Sequence, residues 1–199
     1  MSSLPVLTQW EWSPLIHDAF EANRGVIFPP ALDWPDSTVD ETMAGLLVIH
    51  VRRGDFTAHC HFLASLNSDW NAFNSFPGLP DKYDQVHSDP RLSRENHKAY
   101  MGHCYPSIEQ IVEKVETVRE ESPEPLDYIY IMTNGADSWV VDLREALLDL
   151  GGWGHIGSNR DLCLTWEQKF VAQAVDMLVA QRAQVFIGNG VSQPFVCHI

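Results

Sequence analysis

Residues 45–56 read "GLLVIHVRRGDF". From Gly45 to Val51 the run is aliphatic except for His50, without the apolar–polar alternation of a strand that shows one face to water. Such a pattern predicts a strand covered on both faces, as in a parallel sheet. The run stops on Arg52, Arg53, Gly54 and Asp55. A guanidinium is always charged, and an unpaired buried charge is very costly. Either acids such as Asp55 neutralise the pair, or the pair meets an anionic ligand. Side chains alternate along a strand, so Arg52 shares the side of His50 while Arg53 points the other way. Arg52 is therefore expected to face a pocket, and Arg53 to be tied up by Asp55 or a neighbouring loop.

Further elements follow on either side. "WEWSPLIHDAFEAN" (10–23) has the spacing of a short amphipathic helix, and "PPALDWPDST" (29–38) is an acidic, Pro-rich loop. Residues 56–105 are polar and aromatic and too long for a plain connection, which predicts an irregular insertion with some ordered pieces. "YPSIEQIVEKVETVREES" (105–122) predicts a helix with Ser107 as N-cap and Ile108, Ile111, Val112 and Val115 on one face; Glu113, Glu116, Glu120 and Glu121 form its solvated side. A strand is expected over 127–133. A helix over 137–152, capped by Asp137 or Ser138 and closed at Gly151, comes next. A third helix over 166–183 leads into a short strand, 184–189. This order implies parallel pairing with right-handed crossovers. The expected fold is a single α/β domain over 1–199, a Rossmann-like open parallel sheet with flanking helices and with ligands at the carboxyl ends of its strands.

Bulk properties narrow the function. The 199 residues are 45% hydrophobic and 20% charged, enough for one sizeable core. Their net charge is −14, which opposes a nucleic-acid surface and makes a two-arginine cluster the more informative. No apolar run reaches the ~18 residues of a membrane span, and the first residues lack the order of a signal peptide. Cys60, Cys104, Cys163 and Cys197 are too few and scattered for a disulfide scaffold.

The polar residues gather at the strand ends. They are His50 to Asp55 after the first strand, Thr133-Asn134-Gly135 after the second, and Gly188-Asn189-Gly190-Val191-Ser192 after the last. Guanidinium, hydroxyl, amide and glycine turn together are what a diphosphate needs. Neither G-x-x-x-x-G-K-[ST] nor G-x-G-x-x-G occurs, so P-loop and dinucleotide readings lack support.

"HVRRGDF" resembles the His-x-Arg-Arg-x-Asp signature of GDP-fucose-dependent fucosyltransferases, the α1,6- and protein O-fucosyltransferase group. "YIYIMTNGADSWVVDLREAL" is similar to the family's second motif and "AVDMLVAQRAQVFIGNGVSQPF" to its third, in the same order. The resemblance implies the C-terminal, nucleotide-sugar-binding half of a GT-B glycosyltransferase with GDP-fucose as donor substrate, a protein or glycan hydroxyl as acceptor, and no cofactor. It implies that Arg52 is catalytic, holding the β-phosphate and stabilising the departing GDP. It also implies that His50 and Asp55 shape the base and ribose pocket, beside Arg53 and Gly54. Asp176 would bond the guanine edge or brace its helix. Ser192, with the Gly190 and Val191 N–H groups, would grip phosphate, and Thr133, Asn134, Gly188 and Asn189 complete the candidate set. With no D-x-D metal motif in the chain, a guanidinium takes the cation's role, and the reaction is expected to be inverting and metal-independent. An N-terminal acceptor domain is expected beyond this chain, and the secretory pathway for a full-length form.

Core-fucosylating relatives carry a Glu shortly after the first motif. Here the stretch is Phe56-Thr57-Ala58-His59-Cys60-His61, without a carboxylate, and the base stays open between His59, His61 and neither. Two other functional readings stand beside the first: an inactive domain that binds GDP or a partner protein, and a phosphate-ester hydrolase using His50 or His59. His59, Cys60 and His61 with His97, His103 and Cys104 match no standard zinc spacing, so reduced, non-ligating side chains are the first reading and a Cys60–Cys104 disulfide the second. Trp139, Trp153 and Trp166 lie in or beside helices and are expected to pack in the core.

Overall fold

In a computed structural model, which describes residues 11–28, 42–66 and 93–189, four parallel strands make one sheet. They are β1 Met43–Val51, β2 Tyr128–Thr133, β3 His155–Ser158 and β4 Ala183–Gly188, in the order β3-β2-β1-β4. Helices α1 Pro14–Ala22 and α2 Arg24–Ile27 precede β1. Helices α3 Phe56–Ser65, α4 Ser93–Cys104 and α5 Ile108–Glu121 separate β1 from β2. Helix α6 Asp137–Asp149 joins β2 to β3, and α7 Trp166–Lys169 with α8 Ala172–Arg182 join β3 to β4. This is the Rossmann-like α/β sheet expected from the pattern of β1.

The two faces of β1 explain why its sequence does not alternate. Leu46 and Val48, beside Tyr130 and Met132, pack against Ile16 and Phe20 of α1 and Val175, Leu178 and Val179 of α8. Leu47, Ile49 and Val51, beside Ile129 and Ile131, pack against Ile111 and Val115 of α5 and Leu143 and Leu147 of α6. Each such side chain contributes about 1.5–3 kcal/mol when fully buried, so apolar residues are favoured at every position of the strand. The chain winds outward from β1 through β2 to β3, then crosses back to lay β4 on the other side of β1. The order therefore reverses between β1 and β4, where an open α/β sheet leaves a crevice at the carboxyl ends of its strands.

Several local expectations change. Strand β3 was not anticipated: "HIGS" is four residues long, too short to show a period, and Gly157 admits the close approach of α2, since a Cβ there would overlap the Val26 carbonyl. The helix expected over 166–183 is broken at Phe170-Val171, where the N–H groups of Phe170, Val171 and Ala174 bond three residues back rather than four. α6 starts from Ala136, without a side-chain cap, instead of Asp137 or Ser138. α5 does carry the Ser107 cap, in a capping box with Gln110. Trp139 and Trp153 pack against the core as expected, but Trp166, at the start of the short α7, is 71% exposed and meets the ring of Phe170 edge-on.

The 56–105 insertion is ordered at both ends by α3 and α4, which Cys60 and Cys104 join in a disulfide. The reduced reading of these two cysteines is thereby overturned. Both are fully buried with Tyr100 and Ala64 in a small core of their own, which brings the sulfurs together.

Candidate functional site

The carboxyl ends of β1, β2 and β4 converge, with the end of β3 behind β2. His50 is partly buried, its ring 6.5 Å from Phe186 of β4. Burial, and then the charge of Arg52, pull its pKa below the ordinary 6.5, so the imidazole is neutral at pH 7. Arg52 is exposed, its guanidinium 4.6 Å from the Phe56 ring centroid. Among the described residues no carboxylate pairs with it.

Arg53 turns to the opposite face, as alternation requires. It is not neutralised by Asp55, which is exposed at the head of α3 and makes no side-chain cap bond. The Arg53 guanidinium instead lies between the rings of Tyr105 (3.9 Å) and Trp139 (4.5 Å), and its Nη1 donates to the Pro106 carbonyl at 2.5 Å. A loop and two aromatic faces satisfy the charge without any acid.

The backbone between these side chains is bracketed. Asn189, past the end of β4, accepts the Arg52 N–H at Oδ1 (3.4 Å), donates from Nδ2 to the Cys104 carbonyl (2.8 Å), and gives its own N–H to the His50 carbonyl (3.2 Å). Asn134, past the end of β2, accepts the Arg53 N–H at 2.7 Å. Gly54 follows at φ +50°, and a Cβ there would lie 2.8 Å from the Asn134 amide nitrogen, so the tight turn requires glycine. Gly188 is exposed at the mouth of the crevice, whereas Asn189 is buried. Gly190, Val191 and Ser192 lie outside the described residues.

Thr133 is buried and its hydroxyl is already engaged: it donates to the Val51 carbonyl (2.6 Å) and accepts the Gly135 N–H (3.0 Å). Asp176 accepts from the Tyr130 hydroxyl and from Asn159 Nδ2, both at 3.0 Å. Asn159 also pairs with both backbone groups of Thr133. Of the two roles open to Asp176, these contacts belong to the brace, tying α8 to β2 and to the end of β3. Asn159 was missed because it follows the unanticipated β3; a polar residue straight after "HIGS" was its only signal.

Burial outweighs these donors and raises the Asp176 pKa from the ordinary 3.8 to about 6. The folded chain therefore binds a proton more tightly than the unfolded one. Its contribution to stability is complete below pH 3.8 and is lost as pH rises through 6. Wild type should lose up to roughly 2–3 kcal/mol across that window relative to Asp176→Asn, measured as the difference between their melting curves at pH 4 and pH 7.

Of the histidines in the insertion, His61 and His97 come together, Nδ1 to Nε2 at 3.2 Å with ring planes 15° apart, a distance at which one ring donates a hydrogen bond to the other. His59 packs against Phe56 at 4.9 Å. Among the described residues no three metal-ligating side chains converge.

A family model for GDP-fucose protein O-fucosyltransferase matches residues 36–195, a span that contains all the strand ends just described. The chain belongs to the GDP-fucose protein O-fucosyltransferase family. No curated protein matches it. Family membership points to a nucleotide-sugar donor and a protein acceptor, and among the described residues no helix is long and apolar enough to cross a membrane.

Proposed function

We propose that this domain binds GDP-fucose in the crevice between β1 and β4 and transfers fucose to a protein hydroxyl with inversion, without a metal ion, as the nucleotide-binding half of a GT-B fold. The observation that carries the reading is Arg52: a guanidinium without a carboxylate partner among the described residues, at the switch point of a parallel sheet, in a chain of net charge −14. A cation left unneutralised in so acidic a domain suits a small, local anion.

In the reaction the acceptor oxygen bonds to C1 of fucose as the bond from C1 to the β-phosphate oxygen breaks. The hydroxyl proton passes to a base, and GDP departs with the bonding pair. Arg52 is the catalytic residue, meeting the negative charge that grows on the β-phosphate. Neutral His50 contributes a directional contact beneath the nucleotide, while Gly190 and Val191 supply backbone N–H groups and Ser192 a hydroxyl to the phosphates. Asp55 and Gly54 border the pocket. Thr133 and Asp176 support it from behind, because their side-chain oxygens are already bonded within the protein, and Asn134 holds the Arg53 N–H through its Oδ1.

Titration calorimetry with GDP tests the proposal. One site per chain with a Kd in the micromolar range is expected, a gain of about 7–8 kcal/mol. Absence of heat at millimolar GDP would exclude a donor site. Binding with no GDP release from GDP-fucose, either to water or to acceptor, would favour the inactive reading.

A further inference from the structure

We infer that Asn134 and Asn189 are positioning residues: each holds the backbone N–H of one of the consecutive arginines, and together they set where the Arg52 guanidinium stands. The inference rests on the donor site proposed above. Strand β1 ends at Val51, so the ladder bonds that fix its backbone stop one residue before the arginines begin. Beyond that point the two neighbouring strands each lend an asparagine. From the β4 side Asn189 Oδ1 takes the Arg52 N–H, and from the β2 side Asn134 Oδ1 takes the Arg53 N–H. The amides act as side-chain rungs that carry the order of β1 two residues past its last pairing.

Both rungs are backed by one short segment. Asn189 Nδ2 is anchored on the Cys104 carbonyl, while Arg53 is held by the Tyr105 ring and the Pro106 carbonyl. Residues 104–106, at the disulfide end of α4, therefore clamp the arginine pair from behind. Arg53, gripped on its own face, fixes the backbone from which Arg52 projects the other way. Asn189 is buried with both ends of its amide on protein partners, and Asn134 gives its Oδ1 to the Arg53 N–H, so neither rung needs to touch the nucleotide to govern its binding.

A double-mutant cycle on GDP binding tests this, with hydrogen exchange as an independent readout. Asn189→Ala should raise the Kd for GDP about tenfold, the scale of one well-placed hydrogen bond. In an Arg52→Ala background the same change should cost almost nothing further, because the asparagine acts through Arg52. In calorimetry, a merely destabilising effect would reduce the binding stoichiometry and leave Kd unmoved. Without ligand, the Arg52 and Arg53 amides should exchange slowly in the wild type, with Arg52 losing protection in Asn189→Ala and Arg53 in Asn134→Ala. An unchanged Kd, an equal loss with and without Arg52, or freely exchanging wild-type amides would each overturn the positioning role while wild-type GDP binding stands. Failure of the wild type itself to bind GDP would overturn the donor site instead.

Discussion

Arg52→Ala is expected to lower GDP release from GDP-fucose roughly 10³-fold in kcat/KM, the usual scale for removing a fixed group that meets charge developing in a transition state. The protein's stability should hardly change. Arg52 is exposed and its contact with the Phe56 ring is worth about 0.5–1 kcal/mol at such a site. Arg52→Lys keeps the charge but loses the planar fork that engages two phosphate oxygens, so it should fall between wild type and alanine. Steady-state kinetics beside melting curves separate the two effects. An alanine variant that turns over GDP-fucose at the wild-type rate would remove Arg52 from the chemistry.

The second large effect is expected from the Cys60–Cys104 pair. The disulfide closes a sequence separation of 44 residues, and the chain-entropy account gives about 4 kcal/mol for a loop of that size. The Cys60→Ser, Cys104→Ser double variant should melt roughly 10 °C lower. Its folded fraction should also bind GDP more weakly, because the Cys104 carbonyl anchors Asn189 and the next two residues hold Arg53. Calorimetry of the wild type with and without dithiothreitol supplies the same comparison without mutation. Equal melting temperatures and equal GDP affinities would show that the bond neither locks α3 to α4 nor reaches the arginines.

What could be read beforehand was what periodicity and residue type encode. β1 announced itself because both of its faces are buried, and the divergence of Arg52 and Arg53 followed from strand geometry alone. The cap at Ser107 was equally local. β3 was hidden because four residues carry no period, and with it went Asn159. The partners of polar side chains were hidden for a different reason. Sequence puts Thr133, Asn134 and Asn189 at strand ends, but whether an amide turns to a ligand or to a neighbour's backbone depends on strands 80 to 140 residues away. Arg53 shows the same limit: sequence left its partner open between an acid such as Asp55 and a neighbouring loop, and packing supplied the loop, through Tyr105 and the Pro106 carbonyl, with Trp139 on the other side. The Cys60–Cys104 bond depended on α3 and α4 lying side by side, which no local signal reports.

The strand order also bears on how the molecule comes into being. β1 is synthesised early and pairs β2 some 80 residues later, yet its other edge stays open until Ala183–Gly188 arrives. Contacts so distant along the chain are slow to close, and they form after the local helices. During that interval β1 is an apolar strand with one bare edge, open to pairing with another chain. Docking of β4 ends that exposure and, in the same step, brings Asn189 against Arg52. Protection from aggregation and acquisition of the binding crevice are thus one folding event, so a slow-folding variant of β4 would be lost to aggregates before it could be recognised as inactive.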